Sequence, residues 1–67
     1  MKLADIVERQ ELIRRYAEAG DHDVAHTEED RLYREVLQAI AHGTTKSRIL
    51  AAYALDTQKI VFQRWSS

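Results

Sequence analysis

The chain contains no proline, and its only glycines are Gly20 and Gly43. Each glycine follows an amphipathic stretch, the place where a left-handed residue past the last turn stops a helix. With helix breakers at these two points alone, the sequence predicts helical segments separated by short turns. The first covers about residues 2–19, where Leu3, Ile6, Val7, Ile13, Tyr16 and Ala17 recur at spacings of three and four and form one stripe. Glu11 with Arg14 and Arg15 reads as surface pairing. The second covers about residues 28–42, behind a linker "GDHDVAH". Its start, Thr27 followed by "EED", resembles a capping box with acids in the first turn. Its inward face is Leu32, Tyr33, Val36, Leu37 and Ile40, and Asp30–Arg34 and Arg31–Glu35 are expected as outer pairs. The third covers about residues 45–56, capped by Thr44 or Thr45, with Ile49, Leu50, Tyr53 and Ala54 facing inward. Beyond Asp56 or Thr57 the chain either starts a short fourth helix, continues the third, or folds back as a flap. The expected fold class is all-α: one domain over residues 1–67, a small bundle of three main helices with a short C-terminal helix or flap.

A domain of 67 residues buries only about 60% of the surface its unfolded chain exposes, so it is marginal alone. It has no cysteine for a disulfide or a thiolate metal site. Self-association or a protein partner is therefore expected. The cysteine count fits a cytoplasmic location. The opening "MKLADIVERQEL" is charged throughout, unlike a signal peptide, and the longest uncharged apolar run, residues 49–55, is too short to span a bilayer. Charge is uneven: residues 1–43 hold ten acids against six Lys and Arg, a net of −4, and residues 44–67 hold four Lys and Arg against Asp56, a net of +3. Lys46 and Arg48 fall in the first turn of the third segment, where the helix dipole disfavours cations. They are either solvated side chains or groups awaiting an anion or acidic partner.

Two resemblances follow from particular motifs. The stretch "REVLQAIAHGTTKSRILAAYALDTQKIV" resembles the helix-turn-helix of LuxR-type regulators, with Gly43, Ile49, Leu55 and Ile60 in the slots of the turn glycine and the buried aliphatics. That likeness implies a compact DNA-binding regulator in which Lys46, Arg48, Gln58, Lys59 and Arg64 meet backbone or bases. The outward slots of its recognition helix are instead Thr57, Gln58, Val61, Phe62 and Trp65. Three of these are apolar side chains that read bases poorly. From Ala25 onward the chain also resembles short helical proteins of actinobacteria and their phages. The shared features are Ala25-His26 with Glu29-Asp30, Val36 to Gly43, and Phe62 with Arg64-Trp65. This second likeness carries no activity. It implies that the terminal aromatic pair is a built feature.

The sequence thus points first to a non-enzymatic interaction protein that binds a protein partner or itself, of phage or prophage type as the second likeness implies. Phe62, Arg64 and Trp65 are the expected anchors, because aromatic and arginine side chains dominate interfaces. The helix-turn-helix regulator is the alternative. Asp21, His22, Asp23 and His26 could gather around a divalent ion, with His22, Asp23 and His26 the metal candidates. Their setting in a linker reads as turn formers and solvated side chains. No glycine-rich phosphate loop, nucleophile elbow or paired-acid motif is present. Neither catalysis, a cofactor, a membrane nor a small-molecule substrate is expected.

Overall fold

The computed structural model describes residues 1–64 and is all-α: α1 (Leu3–Glu18), α2 (His22–Ala41) and α3 (Ser47–Leu55), followed by one 3-10 turn (Asp56–Lys59) and an extended strap, residues 60–64. Both glycines do what their positions predict. Gly20 (φ 82°) and Gly43 (φ 90°) take left-handed backbone. The amides beyond them reach back to the last turn: Gly20 N and Asp21 N donate to the carbonyls of Ala17 and Tyr16, and Gly43 N and Thr44 N to those of Ile40 and Ala39. This is the paired C-terminal closure that a glycine at C′ permits.

The second helix begins six residues earlier than the sequence predicts. Asp21 occupies the N-cap position, and its carbonyl accepts the first helical bond from Ala25. The supposed linker is the first turn and a half of α2, because nothing after Gly20 breaks a helix. Burial of Ala25 repays its ordering. Thr27 therefore lies inside the helix, and its hydroxyl donates to the Asp23 carbonyl at 2.9 Å instead of capping. The third helix starts two residues later than expected. Thr44 Oγ1 accepts from the Lys46 amide at 3.2 Å, so the threonine shapes the turn and Lys46 holds the N-cap position.

The core consists of Ile6, Ile13, Ala25, Leu32, Val36, Leu50, Ala54, Ile60 and Phe62, with Leu3, Tyr16, Ala17, Tyr33, Ala39 and Ile40 packed around it. Four residues expected to face inward are exposed: Val7, Leu37, Ile49 and Tyr53. All four lie on the flank of a correctly assigned stripe. Periodicity marks the apolar face, but with only three helices each stripe is covered along its centre and left open at its edge. The expected outer pairs on α2 are also redistributed. Glu35 and Glu28 turn to Arg9 of α1 (3.2 and 3.7 Å), Arg31 to Glu28, and Asp30 to His26. The Glu11–Arg14 pair forms as expected.

Two contacts give the direction of α3. Gln10 Nε2 donates to the Tyr53 carbonyl (2.8 Å) and to Thr57 Oγ1 (3.1 Å). Further along, Arg14, Ala17 and Glu18 share a shallow depression with Lys59, Ile60 and Val61. Thus α3 lies beside α1 and runs the same way, while α2 runs against both. No helix among the described residues is long and apolar enough to cross a membrane.

Candidate functional site

The sequence leaves Ile60, Val61, Phe62 and Arg64 without an assigned seat. The structure ends the 3-10 turn at Ile60, whose extended backbone (φ −72°, ψ 124°) directs the strap across α2. The described residues form both a short 3-10 helix beginning at Asp56 and, after it, the flap. Its side chains alternate as in a strand: Ile60 and Phe62 are buried, while Gln63 is exposed and Val61 is 91% exposed. The strap makes one main-chain hydrogen bond to the rest of the molecule beyond the turn, from the Gln63 amide to His22 Nδ1 at 3.1 Å. The His22 ring stacks on Phe62, with centroids 6.4 Å apart and planes 25° apart.

Arg64 completes the seat. Its Nε donates to both oxygens of Glu29 (2.9 and 3.1 Å), and its Nη2 donates to Glu29 Oε2 (3.0 Å) and to the Thr57 carbonyl (3.1 Å). The guanidinium carbon lies 3.9 Å from the centre of the Phe62 ring, a cation–π contact. The Glu29 side chain is only 4% exposed, against 30% for Arg64. Glu29 falls on the same helical stripe as Ala25, Leu32 and Val36, so the helix that builds the core also buries this carboxylate. It needs a cation, and Arg64 supplies one. Tyr33 donates its hydroxyl to Glu29 Oε2 at 3.2 Å. A network therefore runs from Gln10 through Thr57, Arg64 and Glu29 to Tyr33, joining α1, the 3-10 turn, the strap and α2. Sequence reading singled out Arg64 but missed Glu29, Tyr33, Thr57 and Gln10. The available signal was a glutamate at an apolar position of the α2 stripe.

Burial, and secondarily the Glu29 carboxylate, pushes the Tyr33 phenol up from 10.0 to about 12. The folded state thus favours the neutral phenol. Stability linked to this group is fully present below pH 10 and is lost as pH rises from 10 to about 12. Tyr33→Phe keeps the ring and removes the titrating proton. It is expected to flatten this part of the stability curve, read by urea titrations at successive alkaline pH values. An unchanged alkaline loss in the variant would assign the effect to other groups.

The remaining candidates fall in separate places. Phe62 and Arg64 are both engaged within the chain, and Trp65 lies outside the described residues. Of the metal candidates, His22 and His26 share a flank of α2. His22 Nδ1 already accepts from Gln63, and His26 Nε2 lies 3.3 Å from Asp30. Asp23 is exposed in the first turn. Among the described residues, no three His, Asp or Glu side chains converge on a common point. Of the DNA-contact candidates, Lys46 and Arg48 are exposed at the start of α3. Gln58 and Lys59 are exposed on the 3-10 turn, and Lys59 pairs with Asp56 at 3.2 Å. That turn and the strap occupy the place where the helix-turn-helix resemblance puts a recognition helix.

What stands out on the surface is α3 itself. Its sequence, "SRILAAYAL", is apolar apart from Ser47, Arg48 and the tyrosine hydroxyl. Leu50 and Ala54 face the core, while Ile49 (47%), Tyr53 (43%), Leu55 (59%) and Ala52 are exposed. Ile49 and Tyr53 lie on one flank of the helix and Leu55 on the other, and the Tyr53 carbonyl accepts from Gln10 of α1. Sequence reading missed this face because it assigned Ile49 and Tyr53 to the core. No protein-family profile matches the chain, and no significant match appears among curated proteins or solved structures.

Proposed function

We propose that this chain is a small non-enzymatic interaction protein, and that the outer face of α3 makes the contact. One observation carries the reading: α3 carries apolar side chains on its open side as well as its covered side, yet the bundle covers only one side of it. A helix apolar on all sides is normally buried on all sides. An apolar surface patch rimmed by charge is the usual mark of a protein-binding site. Phe62 and Arg64 serve this function indirectly. By closing the core from the far side, they hold the 3-10 turn that terminates α3.

The test is site-specific photo-crosslinking in the cell that makes the protein. A photoreactive residue at Ile49 is expected to yield discrete protein adducts. The same residue at Arg31, on the exposed side of α2, is expected to yield none. Adding Leu55→Lys to the Ile49 probe should remove the adducts while the helical circular dichroism persists. Absence of adducts from position 49 would refute the reading.

A further inference from the structure

We propose that the partner of this face is a second copy of the same chain, joined by antiparallel packing of α3 on α3 about a two-fold axis at Ala52. The proposal rests on α3 being the interface, and it adds the identity of the occupant.

The pattern of α3 is self-complementary. The exposed residues on its outer side are Arg48, Ile49, Ala52, Leu55 and Asp56, with Tyr53 on the flank. Helical backbone continues through Asp56 (φ −60°, ψ −21°), so the register of the face holds to that residue. When two such helices cross antiparallel about residue 52, each position before it meets the position equally far after it on the other copy. Residue 48 then faces residue 56, residue 49 faces residue 55, and residue 52 faces itself. Arg48 meets Asp56, Ile49 meets Leu55, and the smallest side chain of the set sits on the axis, where two backbones must come closest. A two-fold contact requires this kind of self-matching. The antiparallel arrangement also sets the N-terminal end of each helix dipole beside the C-terminal end of the other.

The charges select this arrangement over its alternative. Parallel stacking of the two helices would put Arg48 against Arg48 and Asp56 against Asp56. Among the described residues, Arg48 makes no ion pair. Asp56 gives one oxygen, Oδ1, to the exposed Lys59 and retains the other. One nine-residue helix from each copy buries less than the roughly 1,200 Å² at the lower bound of stable specific interfaces. The dimer is therefore weak and in rapid exchange with monomer.

Sedimentation equilibrium over a wide concentration range tests this, with circular dichroism on every variant to verify folding. The average mass of the native chain is expected to rise from monomer towards dimer. Ala52→Glu places two carboxylates on the axis and should weaken association by at least roughly tenfold, or about 1.4 kcal/mol. Arg48→Asp and Asp56→Arg, each alone, should do the same. The double reversal Arg48→Asp/Asp56→Arg restores opposite charges across the axis and should return association to near the native level. The native chain has no cysteine. Ala52→Cys should therefore be joined into dimers by a short thiol cross-linker, whereas Arg31→Cys should not. A folded native chain that stays monomeric throughout would overturn the second-copy assignment, and so would a double reversal no better than the singles. If adducts to a different protein still form at Ile49, the interaction reading stands and only the identity of the partner falls. If neither is seen, both fall.

Discussion

Arg64→Ala is expected to destabilise the protein by about 3–5 kcal/mol, the cost of stranding a buried charge by removing its partner. The change leaves Glu29, 4% exposed, with the Tyr33 hydroxyl as its remaining hydrogen-bond donor. A domain of this size holds only about 3–5 kcal/mol in all, so the variant should be largely unfolded at room temperature. The mirror change is milder. Glu29→Gln leaves a guanidinium that is 30% exposed, still bonded to the Thr57 carbonyl and able to reach water. It should cost about 1–2 kcal/mol, the scale of a weakened charged hydrogen bond. Glu29→Met/Arg64→Met replaces the pair with apolar side chains of similar length and should fall within about 1 kcal/mol of the native protein, since the Coulomb gain of a buried pair barely exceeds its desolvation cost. Urea titrations followed by circular dichroism would measure all three. Equal losses for Arg64→Ala and Glu29→Gln would show that the pair behaves as a solvated surface bridge.

Phe62→Ala should be comparably severe. It removes a buried ring from the core and with it the surfaces against which His22 and Arg64 rest. Truncating a buried phenylalanine costs about 3–5 kcal/mol. Phe62→Leu keeps most of the volume and loses the ring face. It should cost less than about 1.5 kcal/mol for the change of shape, plus about 0.5–1 kcal/mol for the lost cation–π contact. Val61→Ala, at a side chain 91% exposed, should stay within about 0.5 kcal/mol of native. If Phe62→Ala melted like Val61→Ala, the strap would not be part of the core in solution.

The parts of this fold that local chemistry decides were legible before the structure. Two glycines and the lack of proline define the helix count, and both glycines terminate helices as expected. The start of α2 was misplaced because Thr27 with its acids imitates a capping box. The real boundary follows from Gly20, one residue before the cap. Faces were harder than elements. Ile49 and Leu50 are both apolar and adjacent, and only the placement of α1 and α2 decides which of the two is covered. The fate of Phe62 and Arg64 was the least legible. It turns on Glu29, 35 residues away from Arg64, and a lone glutamate in an apolar stripe becomes a binding partner only once the chain has folded around it. Phe62 and Arg64 were picked as anchors for a partner, whereas the contacts that the structure displays for them are internal.

The reach of these contacts also has a kinetic side. Gln63 and His22 are 41 residues apart, Gln10 and Thr57 are 47 apart, and Arg64 and Glu29 are 35 apart. Such distant pairs must wait for the helices to form and meet, because closing a long loop costs entropy that only later contacts return. The strap is therefore expected to dock after the rate-limiting step. Interactions made after the barrier slow escape from the native state more than they hasten arrival. In rapid-mixing experiments on a variant mild enough to fold, such as Glu29→Gln, the refolding rate should barely move and the unfolding rate should carry nearly the whole loss. A slowed refolding rate would place the clasp inside the folding nucleus. If the strap docks last, five non-helical residues at the edge of the bundle govern how long each folded molecule survives.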